Sequence, residues 1–163
     1  MSRFKGSLVV GGTGMLAGAT RWLAERSATT VLVARRASSF AGLNGLVAVD
    51  ADWTTPSFRA EVSAVLDNMA VIDAALLWLH EPRPILPWLL PLAPAARPVL
   101  VLGSMDGQPT IPDGSGRITT VRLGSVRTAT GRRWLTREEI STAAIAALDD
   151  GESRVVGELT PIA

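Results

Sequence analysis

The chain has 163 residues, 47% of them hydrophobic and 19% charged, which suits one domain over residues 1–163 that buries roughly two-thirds of its unfolded surface. It contains no Cys, no Tyr, one Lys (Lys5) and one His (His80). This excludes disulfide frameworks, thiolate or His-rich metal sites, thiol nucleophiles and any phenol acting as acid or base. Its 16 Lys plus Arg stand against 15 Asp plus Glu for a net charge of +1, with the signs interspersed, a balance that predicts no nucleic-acid partner.

The opening, Met1 to Gly6, runs at once into an apolar strand and a glycine turn, so it predicts no signal peptide. Leu8-Val9-Val10 is that strand, and it stops at Gly11-Gly12-Thr13-Gly14. Helical periodicity follows from Met15 to Arg26, with Met15, Ala19, Trp22 and Leu23 on one face. Thr30 to Ala34 is β-branched and continuous, which reads as a strand buried on both faces. It ends at Arg35-Arg36. Leu46 to Val49 is a third strand, ending at Asp50. Thr55-Pro56 predicts a helix start, with a hydroxyl cap and proline at the first helical position. Phe58, Val62, Val65 or Leu66, and Met69 recur on that helix's apolar face.

Val71 to Leu79 reads as a fourth strand, with Asp73 expected at its entry or in a turn. Between Glu81 and Pro98 the prolines at 82, 84, 87, 91, 94 and 98 allow at most a broken helix. They also interrupt the longest apolar stretch, which predicts no membrane span. Pro98 to Leu102 is a strand ending at Gly103-Ser104, and residues 105–117 are rich in turn formers. Ile118 to Leu123 reads as a strand. Thr136-Arg137-Glu138-Glu139 has the spacing of a capping box, with Leu135 and Ile140 placed as a hydrophobic staple. Gly151 ends that helix, and Arg154 to Leu159 is a last strand. The alternation predicts an α/β three-layer sandwich with a mostly parallel central sheet.

The segment LVVGGTGMLAG, Leu8 to Gly18, carries the chemistry. A tight turn leaving a buried strand brings backbone close to a pyrophosphate, and the next helix aims unpaired amides at it. Gly11 and Gly14 serve the turn and the close approach, with Ala17 in place of a third glycine and Gly18 just beyond. Gly11, Gly12, Thr13, Gly14, Met15 and Leu16 are therefore the candidate dinucleotide-binding residues. After the second strand, where an acid would bind ribose hydroxyls, the chain offers Arg35-Arg36. Two guanidiniums suit a 2′-phosphate and favour NADP(H) over NAD(H); the alternative is an ordinary charged strand end. Asp50 reads equally as an acceptor for an adenine amino group or as a turn or cap residue.

The succession GGTGMLAG, ARR, VD and VLVLGS resembles the short-chain dehydrogenase/reductase superfamily, especially its atypical branch with a GGTG-type turn. VRLGSVRTATGRRWLTREEISTAAIAAL is similar to the family's sixth strand, its cofactor-contacting loop and the helix after it. The resemblance implies a Rossmann-like sandwich with an NAD(P) cofactor, with Gly124 near that cofactor and Arg122 and Arg127 beside it. Ser104 matches the family's serine after the fifth strand. The chain departs from the family where a helix bearing Tyr and Lys should follow. That helix is missing, and the sheet connection after the fifth strand is shortened. His80, at the end of the fourth strand, joins Ser104 as the catalytic candidate; the other reading of His80 is a polar residue capping an apolar strand. Pro84 to Leu92 reads as cover for a sheet face or as the surface of a homodimer.

These readings converge on a cytoplasmic, NADP(H)-binding protein with no metal, acting as an atypical NADPH-dependent oxidoreductase on a small-molecule substrate. Two alternatives stay open. One is a non-catalytic NAD(P)-binding redox sensor or regulatory module, and the other a structural Rossmann-like domain without cofactor.

Overall fold

Nine strands form among the described residues: β1 (Phe4–Val10), β2 (Ser27–Ala34), β3 (Leu46–Asp50), β4 (Ala74–Trp78), β5 (Arg97–Leu102), β6 (Thr119–Leu123), β7 (Ser125–Thr128), β8 (Gly131–Trp134) and β9 (Arg154–Val156). The computed structural model describes residues 2–69, 71–103 and 117–159. Ser104, Met105 and most of the turn-rich segment predicted after β5 lie outside the described residues.

Seven strands make one sheet in the order β3-β2-β1-β4-β5-β6-β9, every neighbouring pair parallel. The chain crosses over between β1 and its two neighbours, β2 and β4, so the turn after β1 sits at the topological switch point where such sheets bind ligands. Because β5 and β6 are adjacent and parallel, the shortened connection leaves the strand placement unaltered.

Side chains alternate between two buried layers, which is why the strands read as continuous apolar runs. Leu8, Val10, Val31, Val33, Leu77 and Leu100 face α2 (Phe58–Asp67) and the proline-rich segment. Val9, Leu32, Leu76, Val99, Val101 and Val121 face α1 (Ala17–Glu25) and α4 (Arg137–Asp150). The prolines limit the 82–98 segment to the four-residue helix α3 (Leu86–Leu89) and a 3₁₀ turn at Leu90–Leu92. Pro87 and Pro91 occupy first-turn positions, where a missing N–H costs nothing. Ile85, Leu86 and Leu89 are buried against the sheet, so this segment is cover.

At Thr136 the capping box forms: its hydroxyl accepts from the Glu139 amide at 3.1 Å, and the Glu139 carboxylate accepts from the Thr136 amide at 3.0 Å. Gly151 closes α4 in the left-handed conformation at φ 72°. Leu135 and Ile140 pack in the same cluster.

Three local readings change. The helix expected at Thr55-Pro56 starts at Phe58, with no side-chain bond from its Ser57 cap. The Thr55 hydroxyl instead donates to the Asp52 carbonyl at 2.7 Å, making residues 52–57 a preceding turn. The fourth strand starts at Ala74 because Asp73 is its entry residue, accepting from the Lys5 and Gly6 amides at 3.1 and 3.2 Å. The segment after Gly124, read as a loop, is the antiparallel hairpin β7–β8. Its four-residue, largely exposed strands carry no apolar alternation to announce them.

Candidate functional site

Strand β1 leaves the sheet at Gly11, whose φ of +77° and ideal Cβ position 2.6 Å from the Trp78 carbonyl oxygen demand glycine. Gly12 is required by packing: a Cβ there would lie 2.3 Å from Thr20 Oγ1 and 2.4 Å from Val9 Cγ1. It thus supplies much of the strand–helix closeness that the sequence pattern placed around Ala17. Gly14 differs from both, since a Cβ there meets nothing within 4 Å. That open space is what an approaching ligand would use.

Hydrogen bonds fix the turn from behind. The Gly11 amide donates to the Val33 carbonyl at 2.9 Å, and the Ala17 amide donates to the Gly14 carbonyl at 3.0 Å. Thr20, fully buried, donates its hydroxyl to the Gly12 carbonyl at 2.7 Å. Ser141 of α4 donates to the Met15 carbonyl at 3.1 Å and accepts from the Ala19 amide at 3.2 Å. The amides of Thr13, Met15 and Leu16 have no partner among the described residues. Oriented donors at the start of a helix are an anion-binding arrangement.

The turn opens on a cleft of about 530 Å³, lined by Gly11, Thr13, Gly14, Met15 and Leu16 on one side and by Arg35 and Arg36 on another. Both arginines are exposed at the exit of β2. Asp50 holds the loop they begin, accepting from the Ser38 amide at 2.9 Å. That bond is the main cause of its carboxyl being held below the usual carboxylate range. Asp50 is thus tied into this turn through one carboxylate oxygen. Asp52 is held low chiefly by the Thr54 hydroxyl and amide, with a smaller contribution from the Arg35 charge.

Trp53, Trp78 and His80 complete the cleft. The His80 ring stacks on Trp53 at 5.4 Å between centroids and 30°, and meets Trp78 edge-on at 5.8 Å and 68°. This places His80 between the exits of β3 and β4, in the same cleft as the arginine pair. Gly124 lies elsewhere. It lines a second cavity of about 230 Å³ with Gly103, Leu123, Trp134, Leu135 and Ile140. The two cavities share Met15 and Trp78. A Cβ on Gly124 would fall 2.3 Å from the Glu158 carbonyl oxygen, so this glycine lets two backbones pass. Arg127 and Arg132 pair with the Glu158 carboxylate at 3.9 and 2.9 Å.

Thr20, Trp53 and Ser141 were not singled out by sequence reasoning. For Thr20 and Ser141 the available signal was a hydroxyl on the buried face of an amphipathic helix. For Trp53 there was none, because its partner His80 comes from a different strand exit. Among the described residues no group of His, Asp and Glu could hold a metal ion, and no helix is long and apolar enough to cross a membrane.

No family model matches the chain, and no curated protein matches it. Solved structures do. The 3-ketoacyl-(acyl-carrier-protein) reductase from Brucella melitensis, complexed with NADH, is 16% identical with a TM-score of 0.65, over 93% of this chain and 96% of that one. The MalC reductase/Diels-Alderase from Malbranchea aurantiaca is 12% identical with a TM-score of 0.66, over 97% and 96%. The Pseudomonas aeruginosa RhlG/NADP complex is 14% identical with a TM-score of 0.63, over 96% and 95%. The chain therefore has a Rossmann-like fold, an α/β three-layer sandwich of the kind seen in short-chain dehydrogenase/reductase structures. At these identities the likeness is one of fold.

Proposed function

We propose that the larger cleft binds an NAD(P) dinucleotide, NADP(H) in preference to NAD(H), and that the chain is an atypical oxidoreductase built as one dinucleotide-binding unit. One observation carries the reading. A single cleft pairs a glycine turn whose Thr13, Met15 and Leu16 amides are unbonded among the described residues with the Arg35-Arg36 pair. The open space beside Gly14 suits a pyrophosphate, and the amides suit its charge. Arg35 and Arg36, neither of them in an ion pair among the described residues, are together the candidates for a 2′-phosphate.

The bound dinucleotide would supply a hydride. The chain's own residues bind and orient it: the turn amides at the phosphates, Arg35 and Arg36 at the ribose phosphate, and Trp53 and Trp78 as apolar wall. With no Tyr in the sequence, a positioned phenol acid is not part of the mechanism. This favours a small-molecule acceptor whose reduction needs no such acid, such as a quinone or flavin. Titration with NADPH and NADH, read by tryptophan fluorescence, tests the proposal. Micromolar NADPH binding with weaker NADH binding is expected, and binding of neither below millimolar overturns it.

A non-catalytic NAD(P)-binding module is the second reading. It is favoured by Lys5, the one lysine, lying at the start of β1, the far end of the strand from the glycine turn. Substrate-dependent NADPH oxidation separates the two.

A further inference from the structure

Of the groups that hold the glycine turn, Ser141 comes from farthest away, in the helix that precedes the last strand. It is 7% exposed, and its hydroxyl is fully used, donating to the Met15 carbonyl at 3.1 Å and accepting from the Ala19 amide at 3.2 Å. Gly18 makes room for it: a Cβ there would sit 3.2 Å from Ser141 Oγ and 3.3 Å from its Cβ.

The geometry of the peptide gives this contact a consequence. The bond between Met15 and Leu16 is trans, so the Met15 C=O and the Leu16 N–H lie in one plane and point in opposite directions. Tying the carbonyl back to α4 turns the Leu16 amide away from α4. Both residues line the cleft. The second bond occupies the Ala19 amide, one of the four orphan donors at the start of α1. With the Ala17 amide bonded to the Gly14 carbonyl, the donors left over among the described residues are Leu16 and Gly18. Thr20 does the same three peptide groups earlier: it ties the Gly12 carbonyl and so turns the Thr13 amide the opposite way. Were the 15–16 peptide to rotate, it would present a carbonyl oxygen where a phosphate needs an N–H.

We propose that Ser141 is a positioning residue for the phosphate-binding turn, setting the 15–16 peptide plane from helix α4 so that the Leu16 amide faces the pyrophosphate. The inference rests on the dinucleotide reading above and adds a residue outside the glycine motif to it.

The test compares wild type, Ser141→Ala and Ser141→Cys for binding of NADPH, ADP-ribose and adenosine 2′-monophosphate, alongside thermal melts. Adenosine 2′-monophosphate has the base and the 2′-phosphate but no pyrophosphate. Both variants are expected to lose about 3- to 10-fold in affinity for NADPH and ADP-ribose, the worth of one hydrogen bond, with the monophosphate unchanged. Ser141→Cys keeps the buried volume with a poor hydrogen-bonding group, so it holds if removal of bulk unfolds the alanine variant. Gly18→Ala, which crowds the same hydroxyl, should reproduce the split without touching Ser141. Parallel losses for all three ligands, or no loss for NADPH, overturn the inference while leaving the cofactor reading standing. A wild-type protein that binds none of the three overturns the cofactor reading and the inference with it.

Discussion

Alanine at each glycine of the turn separates what folding requires from what a ligand requires. Gly14 has no positive φ, and an added Cβ meets nothing within 4 Å. At such a site Gly→Ala stabilises by about 0.4–1 kcal/mol, through the unfolded chain's lost freedom. For a chain of this size that corresponds to a rise in Tm of about 1–4 °C. Gly12 is the opposite case. Its Cβ would stand 2.3 Å from Thr20 Oγ1 and 2.4 Å from Val9 Cγ1, both on buried residues. Overpacking costs about 1–3 kcal/mol, and displacing Thr20 also endangers its bond to the Gly12 carbonyl, about 1 kcal/mol more. A fall in Tm of roughly 5–15 °C follows. Gly11→Ala is expected to fall similarly, because φ +77° and the Trp78 carbonyl at 2.6 Å both oppose a side chain. Thermal melts by circular dichroism and NADPH titrations on the three variants provide the assay. The reasoning predicts that Gly14→Ala keeps its stability and loses NADPH binding, because its methyl group occupies the space a pyrophosphate would fill. A Gly14→Ala protein that melts as low as Gly12→Ala refutes the structural argument. One that is stable and binds NADPH as wild type does refutes the ligand argument.

Replacing Arg35 and Arg36 with Ala should weaken NADPH binding by about 10- to 100-fold, the worth of hydrogen bonds to a charged group, and leave NADH binding nearly unchanged in parallel titrations. Leu86→Ala, at a 1% exposed position in the proline-rich cover, should cost about 2–5 kcal/mol in denaturant unfolding; a neutral result would mean that this segment does not cover the sheet. Thr30→Val removes a buried hydroxyl that has no hydrogen-bond partner and should be neutral or stabilising by about 1 kcal/mol, which the same unfolding curves would show. Glu139 is held down from 4.5 to about 2, first by its hydrogen bond from Arg133 and then by the Thr136 amide. Its contribution to stability is therefore present above pH 4.5 and lost as the pH falls from there through about 2. Glu139→Gln should flatten the Tm-versus-pH curve in that window.

Much of the fold was legible in the sequence because its signals are local. β1, β2 and β5 each contain an unbroken run of Val and Leu (LVV, VLV and VLVL), the pattern that burial on both faces imposes. The Thr136–Glu139 box and Gly151 mark the two ends of α4 by backbone chemistry alone. Hairpin β7–β8 was missed because its strands are four residues long and bury no hydrophobic side chain to pattern them. The start of α2 was misplaced because the Thr55 hydroxyl had a competing acceptor, the Asp52 carbonyl, three residues back. At the site, the glycine turn was readable as a motif, and the arginine pair by its distance from it. What holds and walls them was not. The bond from the Ser38 amide to Asp50, twelve residues apart, is one such contact.

The sequence by itself determined which chemistries are absent, where the sheet strands lie and that a glycine turn leaves the first of them. Those properties depend on residue type and on spacing within one element. Only the tertiary structure decided the division of labour in the turn, with Gly11 serving conformation, Gly12 packing and Gly14 open space. It alone brought Trp53 against His80 and Ser141 against Met15, 126 residues away. Contacts across such separations are set by how strands and helices stack, and nothing in the neighbouring residues encodes them. The absence of tyrosine is a fact of composition; the shape of the cleft is a fact of packing.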